Sequence, residues 1–260
     1  MGVRFRLDRA STSAIVRSQL SQIRNRTALV PNPSMAVSRD KLLALRDAPA
    51  YHVPDAAAYV GVPVSTLRSW IRSVARTSAP LIAAADATRG ILSFNNLVEA
   101  HILRIFRQQH KVRLPKIREA LDYASRELRM PRPLLSKRLE TDGVGIFIDH
   151  LGALTDLTTS GALYLRALLE DQLHRVDWDE RELAYRLYPQ VTGAEHGQKP
   201  LIAIDPALSF GRPIILRRAI ATEAVVARID SGESVDEVVQ DLGLTKAEVT
   251  AAVMFEHQAA

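Results

Sequence analysis

At 260 residues, 47% of them hydrophobic, the chain can bury the cores of two ordinary domains, and its lack of cysteine excludes disulfides, thiolate metal sites and cysteine redox chemistry. No apolar run approaches the roughly 20 residues of a bilayer span, and no charged-then-apolar leader heads the sequence, so a soluble cytoplasmic protein is expected. The net charge of +5 hides a split: residues 1–130 carry 21 basic against 9 acidic side chains (+12), and residues 131–260 carry 13 against 20 (−7).

The basic half suits a polyanion, because neutralising phosphates releases counterions, and the acidic half would be repelled by the same surface. Residues 1–34 hold Arg4, Arg6, Arg9, Arg17, Arg24 and Arg26 and end in Pro31-Asn32-Pro33, so they read as a basic arm or a flexible extension. Leu42, Leu43 and Leu45 predict a short lead-in helix over 35–48, which closes a first region, 1–48.

Residues 49–130 carry the strongest signal. From Val53 to Arg72 the spacing is that of a helix–turn–helix. Pro54 stands where a helix can begin without losing a hydrogen bond. Ala57 is small enough for a second helix to approach, and Gly61 suits a left-handed turn. Ser65 is expected to cap the second helix. With Val64, Leu67 and Ile71 facing inward, Ser65, Thr66, Arg68, Ser69 and Arg72 face out. These are groove and phosphate chemistry: arginine can pair with guanine through two hydrogen bonds, and hydroxyls can bond phosphates.

The words Ala57, Gly61 and Ser65-Thr66-Leu67-Arg68-Ser69-Trp70 resemble the MerR-type winged helix-turn-helix, and the likeness extends to about residue 130. It implies that the helix from Thr66 to Arg72 enters the major groove. A wing should follow, with Leu81-Ile82 and Ile91-Leu92 as its strands and Thr88-Arg89-Gly90 at its tip, where Arg89 would touch the DNA backbone. Ser93 should then cap a helix through Leu97, Ile102 and Ile105, and Leu114, Ile117 and Leu121 mark another. The long dimerising helix usual in that family is replaced by Pro131-Arg132-Pro133, which reads as a linker.

The middle region, 131–198, is expected to hold a β-hairpin, Gly145-Ile146-Phe147-Ile148 turning at Asp149 to Gly152 into Ala153 to Thr158. Two helices should follow, near Leu163 to Leu173 and near Glu180 to Leu187. The final region, 199–260, reads as strand, turn, strand around Asp205-Pro206 and Phe210-Gly211-Arg212-Pro213-Ile214-Ile215. Helices come after, with Val225, Val226 and Ile229 on one face and Ser234 to Glu237 as a capped start. Val239, Gly243 and Val249 repeat the earlier spacing, so a second helix–turn–helix shape is expected. Its charges, Glu233, Asp236, Glu237, Asp241, Glu248 and Glu256 against Lys246, would repel phosphate within a Debye length of about 8 Å. Protein contact is the expected use.

Residues 200–260 closely resemble short prokaryotic domains long catalogued as of unknown function, classed as VapB-type antitoxins and typically encoded beside a PIN-like ribonuclease. The matching words are Asp205-Pro206, Gly211-Arg212-Pro213-Ile214, Gly232-Glu233-Ser234-Val235-Asp236-Glu237-Val238 and Leu244-Thr245-Lys246-Ala247-Glu248-Val249. Arg217-Arg218-Ala219 stands where a Gly-Thr-Arg-like turn is more usual. The resemblance implies a PIN-like ribonuclease toxin as partner, neutralised by binding, and repression of the chain's own operon. An arginine placed among a nuclease's metal-binding carboxylates would compete with the metal, and Arg212, Arg217 and Arg218 are the candidates.

Catalytic chemistry is not indicated. The seven histidines are scattered without metal-ligand spacing, and there is no P-loop, dinucleotide fingerprint or Gly-x-Ser-x-Gly. The fold class expected is therefore mainly α with small β elements: a MerR-like winged helix-turn-helix, a hairpin-and-helix middle and a C-terminal helix-turn-helix-like domain. The function expected is a homodimeric antitoxin and repressor that binds operator DNA, with no catalytic residues, metal or cofactor. A stand-alone MerR-like regulator whose second half senses a ligand is the other regulatory reading. A hydrolase using the carboxylates from Asp177 to Glu182 is the reading from a different class.

Overall fold

A computed structural model describes residues 39–73, 79–108, 113–130, 132–137, 147–151, 159–189 and 200–259. The arginines of the arm lie outside the described residues, as do Gly145, Ile146 and Ala153 to Thr158 of the expected hairpin. The fold is mainly helical, with small antiparallel sheets of two, two and three strands among the described residues.

The lead-in helix is α1 (Arg39–Asp47). It buries not its leucines but Arg46, whose guanidinium reaches Asp179 at 2.9 Å, while Leu43 and Leu45 stay exposed. A short strand β1 (Tyr51–His52) runs into α2 (Val53–Val60), and α3 (Val64–Ile71) follows after three residues. Next come β2 (Ile91–Leu92), α4 (Phe94–Gln108) and α5 (Leu114–Arg126). Ser93 caps α4 as expected, its hydroxyl accepting the Asn96 N–H at 3.2 Å.

Helix α4 is the axle of the larger core. Phe94, Leu97, Val98, Ile102, Leu103 and Phe106 are buried along it, too many for one face, so it is surrounded on all sides. It also buries polar groups that tie neighbours to it. Arg104 donates to the Val60 carbonyl at the end of α2 (3.1 Å) and to Gln172 (2.9 Å), satisfying a helix end that would otherwise be left open. Burial lowers the Arg104 pKa to about 10. His101 beside it is fully buried and neutral: desolvation first, then the charges of Arg104 and Arg175, push its pKa well below the usual value.

The middle of the chain departs from expectation in two places. Phe147 and Ile148 are helical, not extended, within a helical stretch over 147–151. Phe147 packs edge-on against Phe106 with centroids 5.8 Å apart, and His150 stacks on Tyr123 at 3.9 Å. The hairpin lies further on. After α6 (Thr159–Leu173), which matches the expected helix near Leu163 to Leu173, β3 (Val176–Trp178) pairs antiparallel with β4 (Ala184–Leu187). The helix expected near Glu180 to Leu187 is thus a turn and a strand. Asp179 closes that turn by accepting the N–H groups of Arg181 and Leu183, both at 3.0 Å, and Glu182 sits at φ 63°, which ends any helix.

The last quarter is a three-stranded sheet, β5 (Ile202–Ala203), β6 (Ile214–Ile215) and β7 (Ile220–Ala221), followed by α7 (Thr222–Asp230), α8 (Val235–Leu242) and α9 (Lys246–Ala259). One core runs from Tyr51 to Ile204 and a second from Ile202 to Phe255. Tyr59 on α2 belongs to both, edge-on to Tyr51 and stacked 6.0 Å from Phe255. No helix among the described residues is long and apolar enough to cross a membrane.

Candidate nucleic-acid and partner interfaces

The α2–α3 pair is set by backbone chemistry at its turn. Gly61 ends α2 at φ 69°, ψ 45°, and the N–H of Val62 returns to the Ala57 carbonyl at 2.9 Å. The start of α3 differs from expectation in one detail. Pro63, extended at φ −58°, ψ 139°, is the N-cap, and its carbonyl accepts the Thr66 and Leu67 N–H groups. Ser65 therefore lies inside the first turn and its side chain caps nothing.

The inner face of α3 is made by Leu67 and Trp70, both fully buried, with Val64 and Ile71 packed partly against the core. Trp70 is the anchor that the spacing alone did not single out. The outer face leaves Ser65 and Arg68 exposed and Thr66 and Ser69 half-buried, whereas Arg72, expected within the helix, stands exposed just past its end in an extended conformation (φ −91°, ψ 136°). The Ser69 hydroxyl donates to the Thr66 carbonyl at 2.6 Å, so part of its hydrogen bonding is already used. Arg68 and Arg72 remain the strongest candidates to meet a phosphate or a base edge.

The segment expected to form a wing pairs differently from expectation. Leu81 and Ile82 form no strand, and Ile82 is instead fully buried, its N–H bonded to the Trp70 carbonyl at 3.1 Å. The strand beside Ile91-Leu92 is Tyr51-His52, with Tyr51 opposite Leu92. From Asp86 to Ile91 the chain makes a tight loop, bridged both ways between those two residues, with Gly90 at φ 67°. Arg89 is 70% exposed at its tip but pairs with Asp86 at 2.7 Å. The Arg89 N–H and guanidinium hold the Asp86 carboxyl below the usual range, so a phosphate approaching Arg89 competes with that carboxylate. Since β1 leads straight into α2, the wing loop and the two helices grow from one ladder.

In the C-terminal unit most of the charge is already paired. Ser234 and Glu237 form the expected capping box on α8, and Thr245 with Glu248 forms a second on α9. Glu248 is buried and accepts from Arg217 at 2.7 and 2.8 Å as well as from Thr245. Arg217 also donates to the Gly243 carbonyl at 2.7 Å, and Arg218 reaches that carbonyl at 3.3 Å. Arg228 is clamped between Glu233 and Asp241. Arg212 is 54% exposed, with Glu223 at 3.5 Å and the Ser209 carbonyl at 3.4 Å, longer contacts than those Arg217 makes. Ala219, in the Arg217-Arg218-Ala219 turn, stands at φ 54°.

Glu248 has a pH signature. Arg217 donating to its carboxylate, and then Thr245, outweigh burial and depress its pKa in the folded state. A depressed carboxyl stabilises fully above its unfolded pKa of about 4.3 and loses that contribution as pH falls through the folded value. Glu248→Gln should cost about 1–2 kcal/mol at neutral pH. Its deficit should shrink on acidification below pH 4, and denaturant midpoints from pH 7 to 3 measure both.

Of the carboxylates from Asp177 to Glu182, two have structural partners: Asp177 accepts from the Tyr188 hydroxyl at 2.6 Å, and Asp179 from the turn and Arg46. Among the described residues no group of three or more His, Asp or Glu could hold a metal ion.

Residues 202–255 match a family described as a protein of unknown function, DUF433. The chain is 27% identical over 231 residues to a Mycobacterium tuberculosis protein named "Putative antitoxin VapB45", covering 79% of this chain and 93% of that one. Its fold is that of Rv2018 from the same organism, solved by X-ray crystallography, with a TM-score of 0.64 at 22% identity over 79% of this chain and 98% of that one. By sequence the chain is thus a distant relative of that mycobacterial protein, and its last quarter carries the DUF433 pattern.

Proposed function

We propose that the chain is the antitoxin of a toxin–antitoxin pair. It binds and neutralises a PIN-like ribonuclease through its C-terminal unit and, as a homodimer, represses its own operon. The observation that carries this is the relationship, over 79% of the chain, to a protein named as an antitoxin. The charge split fits it. Ser65, Thr66, Arg68 and Ser69 on α3, Arg72 just past its end and Arg89 on the wing loop would face operator DNA. Arg212, Arg217 and Arg218 would face the toxin.

Expression together with the neighbouring reading frame tests the pairing. The neighbour alone should arrest growth, this chain should rescue it, and the two should purify as one complex. A harmless or unbound neighbour would refute it. On the DNA side, Arg68→Ala should weaken operator binding by about 1–3 kcal/mol and relax the base preference at one position. A loss equal on all sequences would assign Arg68 to phosphate. Electrophoretic mobility shifts on operator and scrambled fragments separate the two.

The regulator that senses a ligand has one observation in its favour. A cleft of about 500 Å³ opens beside Asp47, Asn96, Glu99, Asp122 and Arg132, although most of its wall comes from the first half of the chain. Arg132 bridges it, paired to Glu99 at 2.9 and 3.0 Å and to Asp47 at 3.1 Å.

A further inference from the structure

The loop from Asp205 to Arg212 holds a large apolar side chain out into solvent at a cost to the backbone. Phe210 is 92% exposed, yet it stands at φ 57°, ψ 30°, a left-handed conformation that a bulky residue rarely takes. Ser209 before it (φ 48°) and Gly211 after it (φ 77°) are left-handed too. Three such residues in a row do not arise from local preference.

The surrounding structure imposes them. Asp205 is buried, paired with Arg186 at 3.0 Å, and accepts the Ala207 N–H at 2.9 Å. Backbone bonds then close the loop step by step, Leu208 to Asp205, Gly211 to Leu208 and Arg212 to Ser209. The buried Tyr51 hydroxyl donates to the Gly211 carbonyl at 2.9 Å, fastening the loop to β1. The ring of Phe210 contributes little to either core. Strain held by its surroundings, on an exposed aromatic, is what a preorganised binding anchor needs: little freedom is left to lose on docking.

We propose that Phe210 is the anchor by which this chain docks on its toxin, entering an apolar pocket on that protein beside a carboxylate that Arg212 pairs with. This rests on the antitoxin reading above and names the contact through which it works. Charge selects the occupant. Arg217 and Arg228 are spent on the chain's own carboxylates, whereas Arg212, two residues from Phe210, makes only long contacts and can turn to an acidic partner.

The test uses the full chain and the protein encoded by the neighbouring reading frame, with affinity measured by biolayer interferometry. Phe210→Ala should weaken the complex at least 100-fold, and Arg212→Glu about tenfold or more. Phe210→Gly, which relieves the strained φ, should weaken it equally while melting at or above the wild-type temperature. Operator binding should be unchanged in all three. A Phe210→Ala chain that binds within threefold of wild type would overturn the anchor while leaving the antitoxin reading standing. A wild-type chain that does not bind the neighbour at all would overturn both. If light scattering showed that the substitution splits a homodimer while the heteromeric affinity held, the occupant would be a second copy of this chain and the proposal would be wrong.

Discussion

Trp70→Ala should destabilise the protein by about 3–5 kcal/mol, the cost of emptying a large, fully buried aromatic site. Trp70 is the second inner residue of α3, and its carbonyl receives the N–H of Ile82 as the chain returns toward the wing loop. The cavity would open under the face that carries Arg68 and Arg72. Operator affinity of the folded fraction should therefore fall with stability, although Trp70 itself is buried. The indole Nε1 has no hydrogen-bond partner among the described residues, so Trp70→Phe leaves no acceptor stranded and should cost distinctly less. Urea titrations of the three proteins give the comparison, and equal midpoints for wild type and Trp70→Ala would contradict the packing described.

Gly211→Ala should cost about 2–4 kcal/mol. A Cβ there would run into the buried Tyr51 hydroxyl, and φ 77° penalises any L side chain besides. The loss combines left-handed strain with the break between β1 and the Phe210 loop. Tyr51→Phe removes the hydroxyl alone and should cost less, about 1 kcal/mol. In the double variant Gly211→Ala with Tyr51→Phe, part of the clash is gone, so the two costs should not add. Strict additivity would mean that the hydroxyl is not what the new methyl meets.

The parts of the fold written in local chemistry were legible in the sequence. Gly61 and Gly243 both sit at left-handed φ after a helix, and Ser234 and Glu237 form the box their spacing predicts. Pairings between distant segments were not. The partner of Ile91-Leu92 is Tyr51-His52, some forty residues away, and nothing near Leu81-Ile82 distinguished a buried bend from a strand. The run Gly145-Ile146-Phe147-Ile148 is apolar and β-branched, a pattern that strand and buried helix share. Packing of Phe147 on Phe106 goes with the helix. The acids from Asp177 to Glu182 looked like the start of a helix, but Asp179 uses its carboxylate to close a turn instead.

The candidate site shows the same division. Outward Arg68 follows from helical spacing and is exposed on α3, while Arg72, expected on the same helix, is exposed just beyond its end. That Arg89 is shared with Asp86 and Arg217 with Glu248 depends on three-dimensional neighbours. Phe210 was visible only as one letter in a turn motif. Its left-handed backbone, held by Tyr51 from outside the loop and by Asp205 at the loop's start, is what makes it conspicuous.

Binding of the full chain to a promoter fragment from its own locus, followed across salt concentration by fluorescence anisotropy, tests most directly whether α3 meets DNA. With Arg68, Arg72 and Arg89 neutralising phosphates, the logarithm of affinity should fall against the logarithm of salt with a slope of about −2 to −3 per chain. Removing Arg68 and Arg72 together should leave only the contribution of Arg89 and flatten it to about −1. An affinity indifferent to salt, or a slope unchanged in that double variant, would contradict the assignment of α3 as the DNA-facing helix.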